Sequence, residues 1–180
     1  FALAEAAAAR GARVALVTGS TPIDPPAVAD VTRVETTAEM QEAVQRLVRD
    51  ADALLMVAAP ADFRPKRAAP RKQPRRGGAV TLELEPTPDI LASLERPARC
   101  VVVGFALETG GDGLANARAK LQNKKLDFVI LNDALEPGAG FEVATNRVTI
   151  LGRNGLQVDV PVLPKRDVAE RILDLVETAL

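Results

Sequence analysis

The chain has 180 residues, of which 47% are hydrophobic, and its 23 basic and 24 acidic residues give a net charge of -1. This balance allows one domain with a substantial core, and it argues against a disordered chain and against a general nucleic-acid-binding role. The single cysteine excludes an internal disulfide and fits a cytoplasmic origin, while the absence of histidine excludes the Ser-His-Asp triad and most zinc sites. No apolar run reaches the ~20 residues of a membrane-spanning helix and no signal-peptide pattern is present, so we expect no membrane association.

The first part of the chain alternates between helical and strand patterns. The pattern predicts, in order, a helix over 1–11 that ends at Gly11, a buried strand over 12–20, a loop over 21–30, a short strand over 31–36, a helix over 37–50 with Thr37 as its N-cap, and a fully apolar strand over 51–59. A long loop rich in proline, arginine and lysine follows, over 60–78. Loops of this length inside a compact domain are usually functional or disordered.

The same alternation continues to the last residue. The pattern predicts an exposed strand over 79–85, a helix over 87–95 with Thr87 as its N-cap and Pro88 in its first turn, an apolar strand over 98–108, a helix over 113–126, a buried strand over 127–133, a hairpin over 146–161 around "RNG", and an amphipathic helix over 165–180.

This order predicts an α/β protein with a Rossmann-like three-layer fold. The apolar strands that end in Gly19, Pro60, Glu108 and Asn132 should form a mostly parallel sheet with helices on both faces, and the β-hairpin should be added at one edge. Ligands of such sheets bind beyond the carboxyl ends of the strands. We therefore expect these four strand ends to surround one crevice.

A carboxylate and a basic cluster follow the apolar strand that ends in Pro60. Asp62 comes just after Pro60, and seven basic residues lie between Arg64 and Arg76. A carboxylate at a strand end can hold Mg²⁺ against phosphate oxygens, and a lysine such as Lys72 can reach a phosphate. The alternatives are a loop-capping aspartate and a solvated basic loop.

Other residues near the predicted crevice suit a nucleotide. The backbone at Gly19 could approach a phosphate, and Lys120 and Lys124 lie four residues apart on one helical face, which either binds phosphate or faces solvent. Asn132 ends a strand, where it either recognises a base or ribose or forms a turn. Phe105 either packs in the core or covers a base.

Taken together, these segments resemble phosphopantothenate–cysteine ligase, also called phosphopantothenoylcysteine synthetase. In most bacteria this enzyme is the C-terminal half of a bifunctional coenzyme A biosynthesis protein. The order and spacing of the segments carry the resemblance rather than any single motif. The segments are "FALAEAAAARGARVALVTG", "AAPADFRPKRAAPRK", "LELEPTPDILASL", "VVVGFALET", "AKLQNKKLDFVILND" and "NRVTIL".

The resemblance implies a CTP-dependent ligation of 4'-phosphopantothenate to L-cysteine through an acyl-cytidylate, in a homodimer, with a phosphopantothenoylcysteine decarboxylase domain fused or associated. Residues 1–180 would be a single nucleotide-binding ligase domain that lacks the N-terminal segment, because the Ser-Ser-Gly-Lys-Met-Gly stretch of the family would precede Phe1. The family's Lys-Ile-Lys-Lys segment is here "KQPR", in which Pro74 removes a backbone donor.

The resemblance also implies roles for individual residues. Asp62 and Lys72 would be catalytic, with Asp62 also holding the metal. Ala59 and Pro60 would contact the acid substrate. By the resemblance, the nucleotide, CTP with Mg²⁺, would be bound by Ala61, Asp62, Phe63, Lys72, Lys120, Lys124 and Asn132. The strand-end positions of Gly19 and Phe105 add these two residues to the nucleotide-binding candidates.

Three other functions compete with this one. The first is an NAD(P)- or flavin-binding oxidoreductase of Rossmann-like fold, although no G-x-G-x-x-G follows any predicted strand. The second is a non-catalytic fragment that binds nucleotide without turnover. The third is a module whose basic loop binds RNA or an acidic partner, against which the near-neutral charge and the 3% aromatic content both count.

Overall fold

The computed structural model describes residues 1–27, 29–67, 71, 79, 81–108, 111–133 and 143–180. Its helices are α1 (Ala2–Ala9), α2 (Thr37–Leu47), α3 (Gly113–Asn123) and α4 (Lys165–Ala179). Its strands are β1 (Val14–Thr18), β2 (Ala29–Arg33), β3 (Ala53–Met56), β4 (Phe63–Pro65), β5 (Leu84–Pro86), β6 (Val101–Glu108), β7 (Phe128–Asp133), β8 (Thr145–Gly152) and β9 (Gln157–Pro164).

The main sheet combines a parallel part with an antiparallel edge. Its strand order is β3-β6-β7-β8-β9, with β3, β6 and β7 parallel to one another and β8 and β9 antiparallel. The α/β class and the added hairpin are thus confirmed. The strand that ends before Gly19 differs from the expectation, because β1 pairs in parallel with β2 in a two-stranded sheet of its own. Val17 of β1 still packs against the hydrophobic cluster that contains Met56 of β3.

Helices cover both faces of the main sheet, as the three-layer prediction requires. Helix α4 packs on one face through Val168 and Ile172, against Ile130 and Ile150 of the strands. Helix α3 packs on the opposite face, where Ala117 and Leu121 join a second cluster with Val102, Val129 and Leu151.

The first and last helices are held together at their surfaces. Ala6 of α1 packs against Ala169 and Leu173 of α4. Arg10, at the C-terminal end of α1, also forms ion pairs with three carboxylates of α4 over N–O distances of 2.6, 2.7 and 3.0 Å. Residues 160 or more positions apart in sequence are therefore joined in one layer.

The predicted hairpin has the turn that its sequence requires. Asn154 and Gly155 both adopt positive φ, at 64° and 79°, between β8 and β9. Asparagine and glycine tolerate this left-handed backbone better than other residues, which explains the "RNG" signal.

Three local predictions need correction. Residues 87–95 form no helix and instead make a turn in which Ser93 donates its backbone N–H to the Asp89 carbonyl. The N-cap of α2 is Thr36 rather than Thr37, because the Thr36 hydroxyl accepts from the Glu39 amide. The expected strand over 79–85 is found only as β5 (Leu84–Pro86), which pairs with the unpredicted β4 (Phe63–Pro65) in an exposed β4–β5 ribbon.

None of the helices in the described ranges is long and apolar enough to cross a membrane.

Candidate active site

Asp62 lies between the end of β3 and the start of the β4–β5 ribbon, with its side chain exposed. The backbone around it is held by Thr87. The Thr87 hydroxyl donates to the Ala61 carbonyl at 2.5 Å, and the Thr87 amide donates to the Asp62 carbonyl at 2.9 Å. These two hydrogen bonds fix the root of the ribbon and leave the Asp62 carboxylate directed to solvent.

The residues beside Asp62 are accessible to a ligand to different degrees. Ala59, Ala61 and Phe63 are exposed, and Pro60 is half-buried. Of their backbone groups, the Ala61 carbonyl is already used by Thr87.

Two members of the predicted basic cluster form ion pairs, one across the β4–β5 ribbon and one at its end. Arg64 forms an ion pair with Glu85 at 2.8 Å, and Lys66 forms one with Glu83 at 3.1 Å. The two glutamates belong to the "LELE" segment, so part of the charge of the basic loop is offset by the neighbouring strand. Lys72 lies outside the described residues.

The main sheet opens on one side of β6. Strands β3 and β6 are paired as far as Met56 opposite Gly104, and β6 continues beyond this pair. The Val101 amide donates to the carbonyl of Asp52, just before β3, so it faces the β3 side of β6. Backbone groups of a parallel strand alternate between its two neighbours, so the carbonyl of Phe105 faces the same side, past the last pair. We call this gap the β3–β6 opening.

Lys120 of α3 reaches into the β3–β6 opening. Its Nζ donates a hydrogen bond of 2.5 Å to the Phe105 carbonyl, in a partly buried environment. The Phe105 side chain packs with the cluster under α4, on the other face of the sheet. The ring therefore belongs to the core, while its carbonyl holds a cation where two strands diverge.

Lys124, one helical turn after Lys120, also faces protein rather than open solvent. Its Nζ lies 2.8 Å from Oδ2 of Asp89, with 27% of the lysine side chain exposed. Burial raises the pKa of the Asp89 carboxyl, but the hydrogen bonds from Lys124 and from the Ala92 amide outweigh this effect, so the pKa lies below the ordinary value. Asp89 is consequently ionised at neutral pH.

Asn132 and Gly19 lie at the ends of other strands. The Asn132 carbonyl oxygen Oδ1 accepts a hydrogen bond of 2.7 Å from the side-chain amide of Asn146 in β8, which fixes its orientation. Gly19 follows β1 and is half-buried.

The contacts join three of the predicted site residues into one chain. Asp62 is linked through Thr87 to Asp89, and Asp89 lies against Lys124 and close enough to Lys120 for its pKa to be lowered by that charge. Lys120 thus reaches the β3–β6 opening, Lys124 lies one helical turn away, and the backbone of Asp62 is tied to the same 87–89 segment that contacts Lys124. Such an arrangement suits a polyanion that carries a divalent cation.

Comparison with known proteins identifies the family. The family described as DNA/pantothenate metabolism flavoprotein C-terminal domain matches residues 1–180. The chain belongs to this family.

Individual relatives agree with the assignment. The chain is 42% identical over 175 residues to the coenzyme A biosynthesis bifunctional protein CoaBC of Bacillus subtilis. The match covers 96% of this chain and 43% of that protein. The chain therefore spans less than half the length of this relative.

Solved structures also match the fold. A crystal structure of the C-terminal domain of CoaBC superposes with a TM-score of 0.81 at 33% identity, covering 98% of this chain and 79% of the other. A Cab2 mutant in complex with phosphopantothenate-cysteine superposes with a TM-score of 0.66 at 15% identity, covering 84% of this chain and 54% of the other, and supports the fold alone.

Three polar residues of this family member were missed as site residues. The sequence pattern makes Thr87 a helix N-cap, gives Asp89 no distinct signal and makes Asn146 the start of a strand. Their partners are 14 to 35 residues away in sequence, apart from local contacts. The one signal available was the pair of polar residues that flank Pro88, which are typical of a turn as well as of a helix start.

A metal cage built from protein side chains is not found in the described ranges, which contain no group of three or more His, Cys, Asp or Glu side chains placed to hold a metal ion. Mg²⁺ commonly uses only one or two protein carboxylates and takes its other ligands from phosphates and water. The exposed Asp62 carboxylate fits this kind of site.

Proposed function

We propose that the chain carries the CTP-dependent ligation of 4'-phosphopantothenate to L-cysteine, through an acyl-cytidylate, in coenzyme A biosynthesis. The observation that carries the proposal is the linked set of Asp62, Lys120 and Lys124, of which Lys120 reaches into the β3–β6 opening. Membership of the family and the name of the Bacillus subtilis relative support the choice of reaction. The preference for CTP over ATP comes from the resemblance of the segments.

The reaction has two steps that require charge to be neutralised rather than a histidine base. The carboxylate of 4'-phosphopantothenate attacks the α-phosphorus of CTP, forms the acyl-cytidylate and releases pyrophosphate. The amine of cysteine then attacks the acyl carbon, loses a proton, and CMP leaves with the electrons of the cleaved C–O bond. The thiol group of the substrate cysteine remains unchanged in the product.

Each site residue has a defined task in this scheme. Lys120 and Lys124 offset negative charge on the triphosphate, which favours attack by an anionic carboxylate and departure of pyrophosphate. Asn132, held by Asn146, offers its side-chain amide to the base or ribose. Lys72, as the resemblance implies, supplies a further positive charge in the transition state.

The metal would be held by Asp62 together with phosphate oxygens of the nucleotide. A bound Mg²⁺ supplies positive charge that neutralises the triphosphate and orients its phosphates. The hydrogen bonds from the Thr87 hydroxyl to the Ala61 carbonyl and from the Thr87 amide to the Asp62 carbonyl support this role, since they hold the backbone that carries Asp62.

We also propose that two copies of the chain associate and that a decarboxylase domain accompanies them. The β4–β5 ribbon exposes Phe63 and Leu84 by 58% and 50%, and Leu82, just before β5, is 63% exposed, which suits a surface covered by a second copy. The Bacillus subtilis relative is called bifunctional and has more than half its length outside the match, which leaves room for the second activity.

Calorimetric titration with CTP and Mg²⁺ is the first test, with ATP, NADH and FMN as controls. Selective binding of CTP supports the proposal, whereas selective binding of NADH or FMN favours an oxidoreductase. A ligase assay with all three substrates then measures pyrophosphate release. CTP binding with no release in that assay would instead favour a non-catalytic nucleotide-binding role.

Variants assign the activity to the site. Asp62→Ala, Lys72→Ala, Lys120→Ala and Lys124→Ala should each lower kcat/KM by roughly ten- to a hundredfold, because each removes a charge that acts on the triphosphate. Arg99→Ala is the control, since Arg99 is 71% exposed and lies next to Asp52, at the amino ends of the strands. Unchanged kinetics in the four site variants would contradict the assignment.

A further inference from the structure

Residues 87–89, a Thr-Pro-Asp segment that we call the bracket, contact both halves of the candidate site. Thr87 donates hydrogen bonds of 2.5 and 2.9 Å to the carbonyls of Ala61 and Asp62. Two residues later, Asp89 accepts from Lys124 at 2.8 Å. The carboxylate side of the site and the lysine side therefore meet on three consecutive residues.

The bracket is itself anchored. Ile90, the next residue, is 4% exposed and packs in the cluster with Met40 and Val44 of α2. Pro88 fixes its own φ and removes a backbone donor between the two polar residues. The Asp89 carbonyl accepts from the Ser93 amide at 3.1 Å and from the Ser93 hydroxyl at 2.8 Å. A segment fastened in this way can hold other groups in place.

The side chains of the bracket face protein groups. The Thr87 hydroxyl is used on the Ala61 carbonyl, and the Asp89 carboxylate is used on the Lys124 ammonium and on the Ala92 amide. The contacts to Ala61 and Lys124 both hold residues that the proposed site uses. Catalytic groups must be held to within a fraction of an ångström by such supporting contacts.

We infer that Thr87 and Asp89 are positioning residues of the active site: Thr87 sets the backbone that presents Asp62, and Asp89 holds the Lys124 ammonium beside the β3–β6 opening. The kinetic consequences of this inference rest on the proposed function. The geometric consequences at Thr87 do not, so they can be tested in the absence of any substrate.

The negative charge of Asp89 allows a positioning role to be distinguished from no role in catalysis. A negative carboxylate close to Lys120 and Lys124 opposes the approach of a triphosphate. If Asp89 did not position Lys124, removal of its carboxylate would tighten CTP binding and leave kcat unchanged. If it positions Lys124, its removal misplaces the ammonium and lowers kcat.

The first experiment compares Asp89→Asn, Asp89→Glu and the control Asp52→Asn. Asp52 is 73% exposed and pairs loosely with Arg99 at 4.0 Å, so it is a matched carboxylate away from the site. We expect Asp89→Asn to lower kcat by roughly ten- to a hundredfold, because an ångström of misplacement has an effect of this size. Asp89→Glu should recover part of the loss, and Asp52→Asn should behave as wild type.

A double-mutant cycle tests whether Asp89 acts through Lys124. Adding Asp89→Asn to Lys124→Ala should lower kcat little further, since the group that Asp89 positions is already absent. Independent, multiplying losses in the double variant would overturn the inference for Asp89. Tighter CTP binding with unchanged kcat in Asp89→Asn would overturn it too.

The second experiment compares Thr87→Val with Thr87→Ser and does not depend on ligase activity. Hydrogen exchange at the amide of residue 87 reports the bond to the Asp62 carbonyl. Without the hydroxyl, this amide should exchange at least about tenfold faster in the valine variant, while the serine variant stays within about threefold of wild type. Thr178→Val is the control, because the Thr178 hydroxyl bonds the Asp174 carbonyl on α4.

The outcomes separate the inference from the proposed function. Equal exchange in wild type, serine and valine variants overturns the role of Thr87, whatever the activity. If the wild type has no ligase activity but the valine variant exchanges faster, the proposed function fails and the structural role of Thr87 stands. If ligation occurs and Thr87→Val lowers kcat while Thr87→Ser restores it, both stand.

Discussion

Cys100 is a thiol that the folded protein should keep unreactive. It is 2% exposed, and burial raises the pKa of its thiol above the ordinary value. Since the thiolate is the reactive form, Ellman's reagent should label the native protein at least about a hundredfold more slowly than the unfolded chain. The reaction should be followed at pH 8 with and without denaturant.

This chain has one cysteine, so the labelling needs no background correction. The labelling rate in increasing urea should follow the loss of far-UV circular dichroism. Rapid stoichiometric labelling in the absence of denaturant would contradict the burial of Cys100.

Gly104 is required by close packing in the middle of β6. A Cβ added at this position would lie 2.6 Å from Cδ1 of Leu126 and 3.6 Å from Cδ1 of Leu91. Leu126 is 1% exposed, so it cannot move aside without disturbing its neighbours. Gly104→Ala should lower the free energy of unfolding by about 1–3 kcal/mol, measured by urea titration.

Gly19→Ala is the matched control for Gly104→Ala. The added Cβ would meet only the Val34 carbonyl at 3.8 Å, an ordinary contact. Its unfolding free energy should stay within about 0.5 kcal/mol of wild type. Equal stability of the two alanine variants would show that Leu126 repacks at no cost.

At the scale of elements, helix α2 begins with a complete capping box. The Thr36 hydroxyl accepts from the Glu39 amide at 3.1 Å, and the Glu39 carboxylate accepts from the amides of Glu35 and Thr36 at 2.7 and 3.1 Å. Thr36→Ala should destabilise the protein by about 1 kcal/mol. Thermal and urea unfolding should agree on the direction.

The capping box should also depend on pH. The amides of Glu35 and Thr36 lower the pKa of the Glu39 carboxyl, since they stabilise its ionised form. The stabilisation is therefore present above the ordinary glutamate pKa of about 4.3 and is lost as the pH falls through the lower, folded-state pKa. The stability difference between wild type and Glu39→Gln should shrink over that acidic range. A difference that grows on acidification would contradict the assignment.

Elements with a strong repeating pattern could be predicted from the sequence, and elements that depend on distant partners could not. The pattern of α4 and the turn signal at Asn154 and Gly155 both come from local chemistry, and the structure confirms both. Residues 87–95 carried equally good helix signals. They form a turn in the structure, where Thr87 and Asp89 bond to groups elsewhere in the fold and Ile90 enters the core.

At the scale of the whole molecule, the sequence could indicate which strand ends carry polar residues but not how the strands separate. Lys120 and Lys124 were visible as a cationic pair. The contact of Lys120 with the Phe105 carbonyl depends on β3 ending opposite Gly104 while β6 continues, and the contact of Lys124 with Asp89 depends on a distant turn; no local pattern encodes either. The pairing of β4 with β5 could not be predicted either, because the two strands lie on opposite sides of the basic loop in the sequence.

The exposed ribbon leads to a prediction about assembly. An isolated two-stranded ribbon is only marginally stable in water, yet the β4–β5 ribbon exposes Leu84 by 50% and Phe63 by 58%. Burying these side chains against a second copy would stabilise both ribbons. Sedimentation velocity should therefore show a dimer at micromolar concentrations, as the resemblance to the ligase family also leads us to expect.

Leu84→Glu should weaken this dimer at least about tenfold, because it places two carboxylates in a surface that association removes from water. Leu180→Glu is the matched control, since Leu180 is 64% exposed at the end of α4, outside the ribbon. If both variants remain dimeric with unchanged dissociation constants, another surface forms the dimer. A monomeric wild type would mean that the ribbon is stabilised within one copy, where the ion pairs of Arg64 with Glu85 and of Lys66 with Glu83 already join its strands.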